Sequence, residues 1–367
     1  HSSNRRQRQM CIRDRIDPED WRTVYTVNHV GFVARQNIET REYTFITPTP
    51  ETISNFSEYV EYDYDETRNR YTIDPGEHWF FRERPDRPLL PPQFRFNWSS
   101  PFIISSNNSK RVFFGSNHLF KSDDRGDNWE IISPDLTTND KSLRNTSDGG
   151  GLTNSNTGGE NHFTIITISD TPIDKDVIWV GTDDGNVQVT IDNGDTWDNV
   201  RPNIVGVPQK TWVSRVEASK HKKGRAYVSF DNHRFDDNKP YVFMTDDYGK
   251  SWKNITSDLP KDYSVYVIKE DYIDENLLFV GTEKSVYFTI NQGKIWEKLG
   301  SNLPSVAIHD LVIHPRDGDL IAGTHGKSIW ILDDISPLRN LNFNSNKLIP
   351  SRESTKWIKI NTVRTQP

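Results

Sequence analysis

Four copies of one short motif constrain this chain more than any other feature of its sequence. The motif is Ser/Thr-x-Asp/Asn-x-Gly-x-x-Trp, and each copy is called a box below. One match to so short a pattern is weak evidence, but four in one chain indicate an internal repeat. The boxes are SDDRGDNW (122–129), TIDNGDTW (190–197), TDDYGKSW (245–252) and TINQGKIW (289–296).

Each box stands at the same place in a longer unit. A strand pattern that closes in a turn comes first, then a short apolar strand that ends in a small residue, then the box, and a further strand pattern follows the tryptophan. Each unit therefore predicts four short strands separated by turns. Four-stranded units of about 40–50 residues are typical of propeller blades. The short apolar strands are RVFFGSN (111–117), VIWVGTD (177–183), RAYVSFD (225–231), LLFVGTE (277–283) and DLIAGTH (319–325).

The prediction is an all-β fold, a β-propeller of four-stranded antiparallel blades with about six blade units. The blades occupy 93–335, the last of them without a box, and a partial first blade with a charged insert occupies 16–92. The polar stretch 137–160 is expected to be a loop. Residues 336–367 lose the repeat and are expected to link into a truncated C-terminal domain.

Residues 1–15 are left out of the fold prediction. The stretch 10–15 (MCIRDR) resembles the translated end of a DNA-library adaptor, so this segment is expected to be an artefact, with the native chain starting further upstream. Cys11, the one cysteine, lies inside it. Thiol catalysis, disulfides and cysteine-bound zinc are therefore excluded.

Composition narrows the classes of partner. The chain has 45 Lys and Arg against 52 Asp and Glu, a net charge of −7, and its densest basic run is HKKGR at 221–225. Nucleic acid and anionic membranes attract basic surfaces, so neither is an expected partner. No apolar run reaches the roughly 18 residues that a membrane-spanning helix needs. Hydrophobic residues make up only 33%, but 11 tryptophans indicate thin cores filled by large rings rather than disorder.

The box residues have a structural explanation. Their Asp or Asn side chains are suited to accept hydrogen bonds from the turn between the third and fourth strands, and their glycines to adopt positive φ. The tryptophans are expected to fold back over the apolar layer of each blade. A feature that recurs in each box is better explained as scaffold than as an active site. The residues are Asp124, Gly126, Trp129, Asp192, Gly194, Trp197, Asp247, Gly249, Trp252, Asn291, Gly293 and Trp296.

With the boxes in place, the chain resembles the sortilin-type propeller proteins with Asp-box (bacterial neuraminidase) repeats, and more closely the large exported bacterial proteins of that group often labelled glycosyl hydrolase. The resemblance covers roughly 93–340, with VIWVGTDDGNVQVTIDNGDTW (177–197) and HDLVIHPRDGDLIAGTHGKSIWILDD (309–334) among its most specific stretches. It implies a multi-bladed propeller in a longer, exported chain. Sialidases and xyloglucan-degrading glycosidases share the box, but their catalytic residues cannot be placed here.

Strand order predicts where a ligand would bind. The turns after the first and third strands of a blade lie on one face of the propeller, and those after the second and fourth lie on the other. The boxes therefore mark one face, and polar loop residues gather on the opposite face around the central channel. The candidate ligand residues are Asp183, Asp184, Arg215, Asp231, His233, Arg234, His309, Asp310 and His325. The alternative is that these Asp and His side chains only satisfy exposed loop backbone and pair with arginines.

Two functions fit this face. One is a scaffold that binds a protein or a glycan, and the other is a glycoside hydrolase, sialidase-like or xyloglucanase-like. Carboxylates and imidazoles suit sugar hydroxyls, cationic peptide groups or Ca²⁺, although no cofactor is required. A hydrolase needs two carboxyl groups facing each other across a cleft. Dispersed carboxylates held in ion pairs would favour the binding protein.

Overall fold

In this computed structural model, the residues described are 14–27, 31–59, 94–140, 162–300 and 302–341, with the strand pairing of 64–65 and 70–71. Predictions about residues 1–13 and about most of the inserts fall outside that part, as do those about the tail after residue 341. The adaptor prediction for the N-terminus stays a prediction.

Six antiparallel sheets follow one another along the chain, and within each sheet the strands pair in sequence order. The chain is an all-β, six-bladed propeller, as the repeat predicts. Blades 1 to 5 each have four strands, and blade 6 has three among the described residues. In chain order the strands are β1 Arg15–Ile16, β2 Thr23–Val27, β3 Val33–Asn37, β4 Tyr43–Phe45 (blade 1), β5 Tyr64–Asp65, β6 Arg70–Tyr71 (a separate pair), β7 Phe102–Ile104, β8 Val112–Gly115, β9 Leu119–Ser122, β10 Glu130–Ile131 (blade 2), β11 Ile165–Thr171, β12 Asp174–Thr182, β13 Val187–Thr190, β14 Asp198–Asn199 (blade 3), β15 Trp212–Ala218, β16 Ala226–Asn232, β17 Asp237–Thr245, β18 Lys253–Asn254 (blade 4), β19 Val265–Glu270, β20 Leu278–Thr282, β21 Val286–Thr289, β22 Glu297–Lys298 (blade 5), and β23 Ile308–Ile313, β24 Leu320–Thr324, β25 Ile329–Leu332 (blade 6).

One part of the chain differs from the sequence prediction. Blade 1 is a complete four-stranded sheet rather than a partial unit, because β1 pairs with β2 through Arg15 and Tyr25. So short a strand carries no recognisable sequence pattern. After β25 the chain does not leave the propeller at once: Ile335 is fully buried, and a short helix, α1 (Ser336–Arg339), follows it. The Arg339 guanidinium of this helix donates two hydrogen bonds to the carboxylate of Asp271 in blade 5.

The apolar core lies between the sheets. In blades 2 and 4 the second strand is covered on both faces, since every residue of β8 and of β16 is buried. Rings from neighbouring blades meet there, as Tyr25 of blade 1 and Phe102 of blade 2 do, with ring centroids 5.3 Å apart. A single thin sheet of this size would not be stable in water, so each blade depends on its neighbours.

The box turns adopt the geometry that their chemistry predicts. In the first box, Asp124 Oδ1 accepts hydrogen bonds from the Ser122 hydroxyl at 2.7 Å and from the Asn128 N–H at 2.8 Å. Gly126 has a φ of +93°, as predicted, and Arg125 before it has a φ of +64°. Two successive positive φ values match the twist of a tight hairpin, which explains why the turn demands a glycine. The other three boxes repeat these bonds through Asp192, Asp247 and Asn291.

The box tryptophans join neighbouring blades rather than only capping their own. The indole N–H of Trp129 donates to the Ile46 carbonyl of the preceding blade at 2.9 Å. Trp197 and Trp296 make the same bond, to the carbonyls of Ile132 and Ile255. Trp252 is the exception, since its N–H donates to Gly249 within its own turn; its ring, like that of Trp197, is only partly buried. The four tryptophans are therefore not equivalent.

We expect Trp129→Ala to lower the free energy of unfolding by about 3–5 kcal/mol, because it empties a buried ring site and removes a bond between blades. Trp252→Ala is the matched comparison and should cost clearly less, since that ring is partly exposed. Thermal and urea unfolding of both variants measure the difference. Equal losses for the two variants would contradict the role assigned to Trp129.

Candidate functional site

The candidate residues lie on the propeller face opposite the boxes. His233 and Arg234 follow β16, and His325 follows β24, so they stand in loops after second strands. His309 and Asp310 belong to the start of β23, an innermost strand. Because loops after second strands and the starts of first strands lie at the same end of the blades, these side chains approach one another around the channel.

Four rings from three blades form a row on this face, which we call the ring strip: His233, Tyr266, His309 and His325. Tyr266 and His309 stack with centroids 4.6 Å apart and planes inclined by 14°. The centroid of His325 lies 5.3 Å from that of His309, and the centroid of His233 lies 6.2 Å from that of Tyr266. The sequence analysis missed Tyr266, although its place at the start of the innermost strand β19 could have indicated it.

Charges set the protonation of the strip. Burial lowers the pKa of His309, and the neighbouring His325 lowers it further, more than Glu283 and Asp231 raise it. The His309 ring is therefore neutral near pH 7 and presents a stacking surface rather than a cation. Tyr266 donates its hydroxyl to the Glu283 carboxylate, and burial together with that carboxylate raises the pKa of Tyr266.

Asp231 organises the blade 4 end of the strip. Nδ1 of His233 lies 2.6 Å from Asp231 Oδ2, and Arg234 Nη1 lies 3.4 Å from the same oxygen. Burial raises the pKa of Asp231, but His233 and Arg234 outweigh it, so the pKa is lowered and the group stays ionised. The guanidinium of Arg234 also lies over the Trp212 ring, 3.9 Å from its centroid. This cation–π contact holds the loop against the face.

Arg215 and Asp310 form an ion pair in the channel. Arg215 Nη2 donates to Asp310 Oδ1 at 2.7 Å, joining the innermost strands of blades 4 and 6 past blade 5. Burial lowers the pKa of Arg15 in β1; the charge of Asp310 opposes this shift and that of Arg215 adds to it. Arg215 and Asp310, both predicted as site residues, are therefore paired with each other.

Asp183 and Asp184 brace blades 2 and 3 instead. Asp183 accepts bonds from the backbone N–H and the hydroxyl of Thr164, at 2.8 and 2.7 Å. Asp184 accepts from the Thr182 hydroxyl at 2.5 Å and the Thr138 N–H at 2.6 Å. Burial, reinforced by Asp183, raises the pKa of Asp184. Sequence reasoning grouped them with the strip because their loop lies on the same face.

His162 completes this second group. Its Nδ1 lies 3.4 Å from Asp183 Oδ2, within ion-pair range but not in hydrogen-bond geometry. Burial lowers the pKa of His162, but the Asp183 carboxylate more than compensates and raises it overall. Across the described part of the chain, no group of three or more His, Cys, Asp or Glu side chains is arranged to hold a metal ion. The suggestion of Ca²⁺ gains no support from this geometry.

A family model described as Sortilin-Vps10 (sortilin, neurotensin receptor 3) matches residues 240–346, from the third strand of blade 4 to just beyond α1. The chain is a sortilin-like β-propeller protein. The matched stretch of this sortilin-like propeller includes Tyr266, His309 and His325 of the ring strip. No curated protein sequence matched the chain.

Two solved structures of low identity share the fold, and a third is similar with a lower score. A GH74 enzyme from Niastella koreensis matches with a TM-score of 0.51 and 15% identity over 88% of this chain and 45% of its own. The outer coat vertex of COPII on membranes matches with a TM-score of 0.52 and 10% identity over 85% and 67%. A GH74 xyloglucanase from Xanthomonas campestris has a TM-score of 0.47 and 16% identity over 89% and 46%. The sortilin-like chain thus spans less than half the length of these GH74 enzymes.

Removing His162 should change how stability depends on pH. A raised folded pKa means that protonated His162 stabilises the fold below its unfolded pKa of about 6.5, and that this contribution is lost as pH rises through the folded pKa. We expect the stability lost in His162→Gln to shrink between about pH 5.5 and 8.

His118→Gln is the matched control for this measurement. Burial lowers the pKa of His118, so the wild-type His118 ring becomes costly as pH falls, and the slope should have the opposite sign. Urea unfolding at several pH values measures both variants. Parallel slopes would contradict the ion pair between His162 and Asp183.

Proposed function

We propose that this sortilin-like propeller is a binding module that holds a protein or glycan ligand on the face opposite the boxes. The observation that carries the proposal is the ring strip, in which four rings from blades 4, 5 and 6 contact one another in a row, stacked between Tyr266 and His309 and inclined or edge-on at the two ends. Aromatic and imidazole faces offer large apolar contact area with polar edges, which suits sugar rings and peptide side chains alike.

The state of the carboxylates supports binding over hydrolysis. A glycosidase needs one carboxyl that is kept protonated and a second that is free to act as nucleophile or base. Asp310 is ion-paired with Arg215, and Asp231 is ion-paired with His233 and Arg234. Glu283 accepts a hydrogen bond from the Tyr266 hydroxyl. Asp184 does have a raised pKa, but it is buried and held by Thr138 and Thr182. Dispersed, engaged carboxylates are the arrangement expected of a binding face.

The same proposal places the protein outside the cytoplasm of a bacterium. This part depends on the resemblance to exported bacterial propellers, whose boxes match the repeats of this chain. In the described part of the chain, no helix is long and apolar enough to cross a membrane. The full-length gene tests the location directly, since an N-terminal export signal would support it and a cytoplasmic product would contradict it.

His309→Ala combined with His325→Ala should weaken ligand binding roughly tenfold or more, because the central stacking surface is lost. The probes are a glycan array that includes xyloglucan oligosaccharides, and a library of peptides, with affinity measured by calorimetry on each hit. His314→Ala, which changes a partly exposed histidine at the turn between β23 and β24, is the matched control and should bind normally.

Two results would overturn this function. Unchanged affinity in the double variant would show that the ligand does not bind at the ring strip. Release of reducing sugar from xyloglucan by the wild-type chain, lost in Asp231→Asn or Asp310→Asn, would instead establish the hydrolase.

A further inference from the structure

The second box contains a chemically labile pair of residues. Its turn includes Asn193 and Gly194, the one Asn-Gly pair in the sequence. At such a pair the backbone nitrogen of the glycine can attack the side-chain amide carbon of the asparagine, because glycine has no side chain to hinder the approach. The residue before the glycine is Arg125, Tyr248 or Gln292 in the other three boxes, and none of these can close the same five-membered ring.

The conformation of the turn explains why an asparagine stands there. Asn193 has a φ of +60°, and the equivalent residues of the other boxes have φ values of +57° to +64°. Asparagine adopts this left-handed conformation more readily than most residues do. The turn therefore favours the residue type that makes it vulnerable.

Hydrogen bonds restrain the reacting groups in the folded turn. The Gly194 N–H donates to the Thr190 hydroxyl oxygen at 2.9 Å, and the Asn193 N–H donates to the Asp176 carbonyl at 2.8 Å. The attacking nitrogen must first lose its proton, and an ordered, hydrogen-bonded N–H does so far more slowly than one in an open chain. Asn193 Oδ1 is buried and has no hydrogen-bond partner in the described part of the chain, so water does not reach that oxygen.

The first reaction product, isoaspartate, does not fit the turn, because it adds one carbon to the backbone ahead of Gly194. That glycine has no spare room: a Cβ there would lie 2.6 Å from the Ile132 carbonyl oxygen of blade 2. The Trp197 indole N–H donates to the same carbonyl at 2.9 Å. A longer backbone displaces Gly194 from this contact, and with it the hydrogen bond that joins blades 2 and 3.

The second product, aspartate, adds a charge to an acidic turn. Asp192 precedes Asn193, and Asp195 follows Gly194. Hydrogen bonds, above all from Thr196, lower the pKa of Asp192 to about 2, so that carboxylate is ionised at neutral pH. A new carboxylate would be repelled by its neighbours and would occupy the place of a buried amide oxygen, where a charge is poorly solvated.

We propose that Asn193 is a modification site controlled by folding: the folded second box suppresses deamidation, and opening of its turn allows a reaction whose products cannot rebuild the box. The Gly194 nitrogen loses its proton to water or hydroxide and forms a bond to Asn193 Cγ, and ammonia leaves. One water molecule then opens the ring at either carbonyl to give aspartate or isoaspartate, with no oxidation or reduction. Each opening of the turn thus risks permanent loss of the junction between blades 2 and 3.

Refolding after timed exposure to urea tests the consequence of the reaction. The wild-type chain is held in urea in a mildly alkaline buffer, then diluted to refold, while peptide mass mapping measures aspartate and isoaspartate at position 193. We expect the refolded fraction to fall as those products accumulate. Asn193→Gln is the matched variant, because Gln292 occupies this turn position in the fourth box, and its refolded fraction should stay close to the starting value.

The rate of deamidation in the folded chain tests the control by folding. It should be roughly tenfold or more slower than in urea, as for a turn that is open less than about a tenth of the time. Thr190→Val removes the hydroxyl that accepts from Gly194 and should raise the rate in the folded chain. Thr245→Val removes the equivalent acceptor of the third box and should leave the rate at position 193 unchanged.

Installing a product directly tests whether it fits. Asn193→Asp should lower the melting temperature, because the new charge lies among carboxylates. Gln292→Glu makes the same change from amide to acid in the fourth box, where Lys294 rather than an aspartate follows the glycine, and it should lower the melting temperature less.

Three results would overturn the proposal. Equal rates of deamidation in the folded chain and in urea would show that the fold gives no protection. Equal loss of refolding in the wild-type chain and Asn193→Gln would show that the damage lies elsewhere. A folded Thr190→Val chain that deamidates no faster than wild type would show that the bond to Gly194 is not the restraint; if that variant does not fold, the comparison with Asn193→Gln decides.

Discussion

The contact between each box and the preceding blade is the interaction on which the rest of the propeller depends. The box glycine is pressed against the residue that follows the fourth strand of that blade: a Cβ on Gly126 would lie 2.7 Å from Ile46 Cδ1, and one on Gly249 would lie 2.7 Å from Val200 Cβ. Three of the box tryptophans add an N–H bond to the preceding blade. Because the sheets are too small to be stable alone, these contacts between blades are needed for the propeller to fold as one cooperative unit.

This arrangement also explains the low apolar content of the chain. In blades 3 to 5 the middle strands are mostly buried and the fourth strand lies outside, since all residues of β14, β18 and β22 are exposed. Apolar residues are needed only in the inner three strands, where large rings fill the space between sheets. A hydrophobic fraction of 33% is therefore sufficient for this fold, although it would be low for a protein with a single core.

The fold could be predicted from sequence because its determinants are local. The hydrogen bonds of Asp124 and the positive φ of Gly126 lie within one turn, so a short motif specifies them. β1 could not be predicted, because two residues carry no pattern and pair only when β2 is already in place. The hydrogen bond of the Trp129 indole could not be predicted either, because its acceptor, the Ile46 carbonyl, lies in another blade.

The site shows the same limit. Strand order placed His233, His309 and His325 on one face, which is a topological argument and needs no distances. It could not distinguish the rings that stack from Asp183 and Asp184, whose loop shares the face but whose bonds go to Thr164, Thr138 and Thr182. That distinction depends on separations across blades, which the repeat pattern does not encode.

The two faces of the propeller differ in how their residues are held, which explains why the ligand site is proposed on only one of them. The box face is rigid because every box turn is saturated by its own side chains and bonded to a neighbouring blade, so its residues have little freedom to meet a ligand. On the opposite face, the loops that carry His233 and His325 are short, and an ion pair links innermost strands of different blades. Arg215 joins Asp310 past blade 5, which fixes His309 beside Tyr266 while leaving the edges of the rings accessible. Substitutions among the strip residues therefore alter recognition more readily than they alter the propeller that holds them.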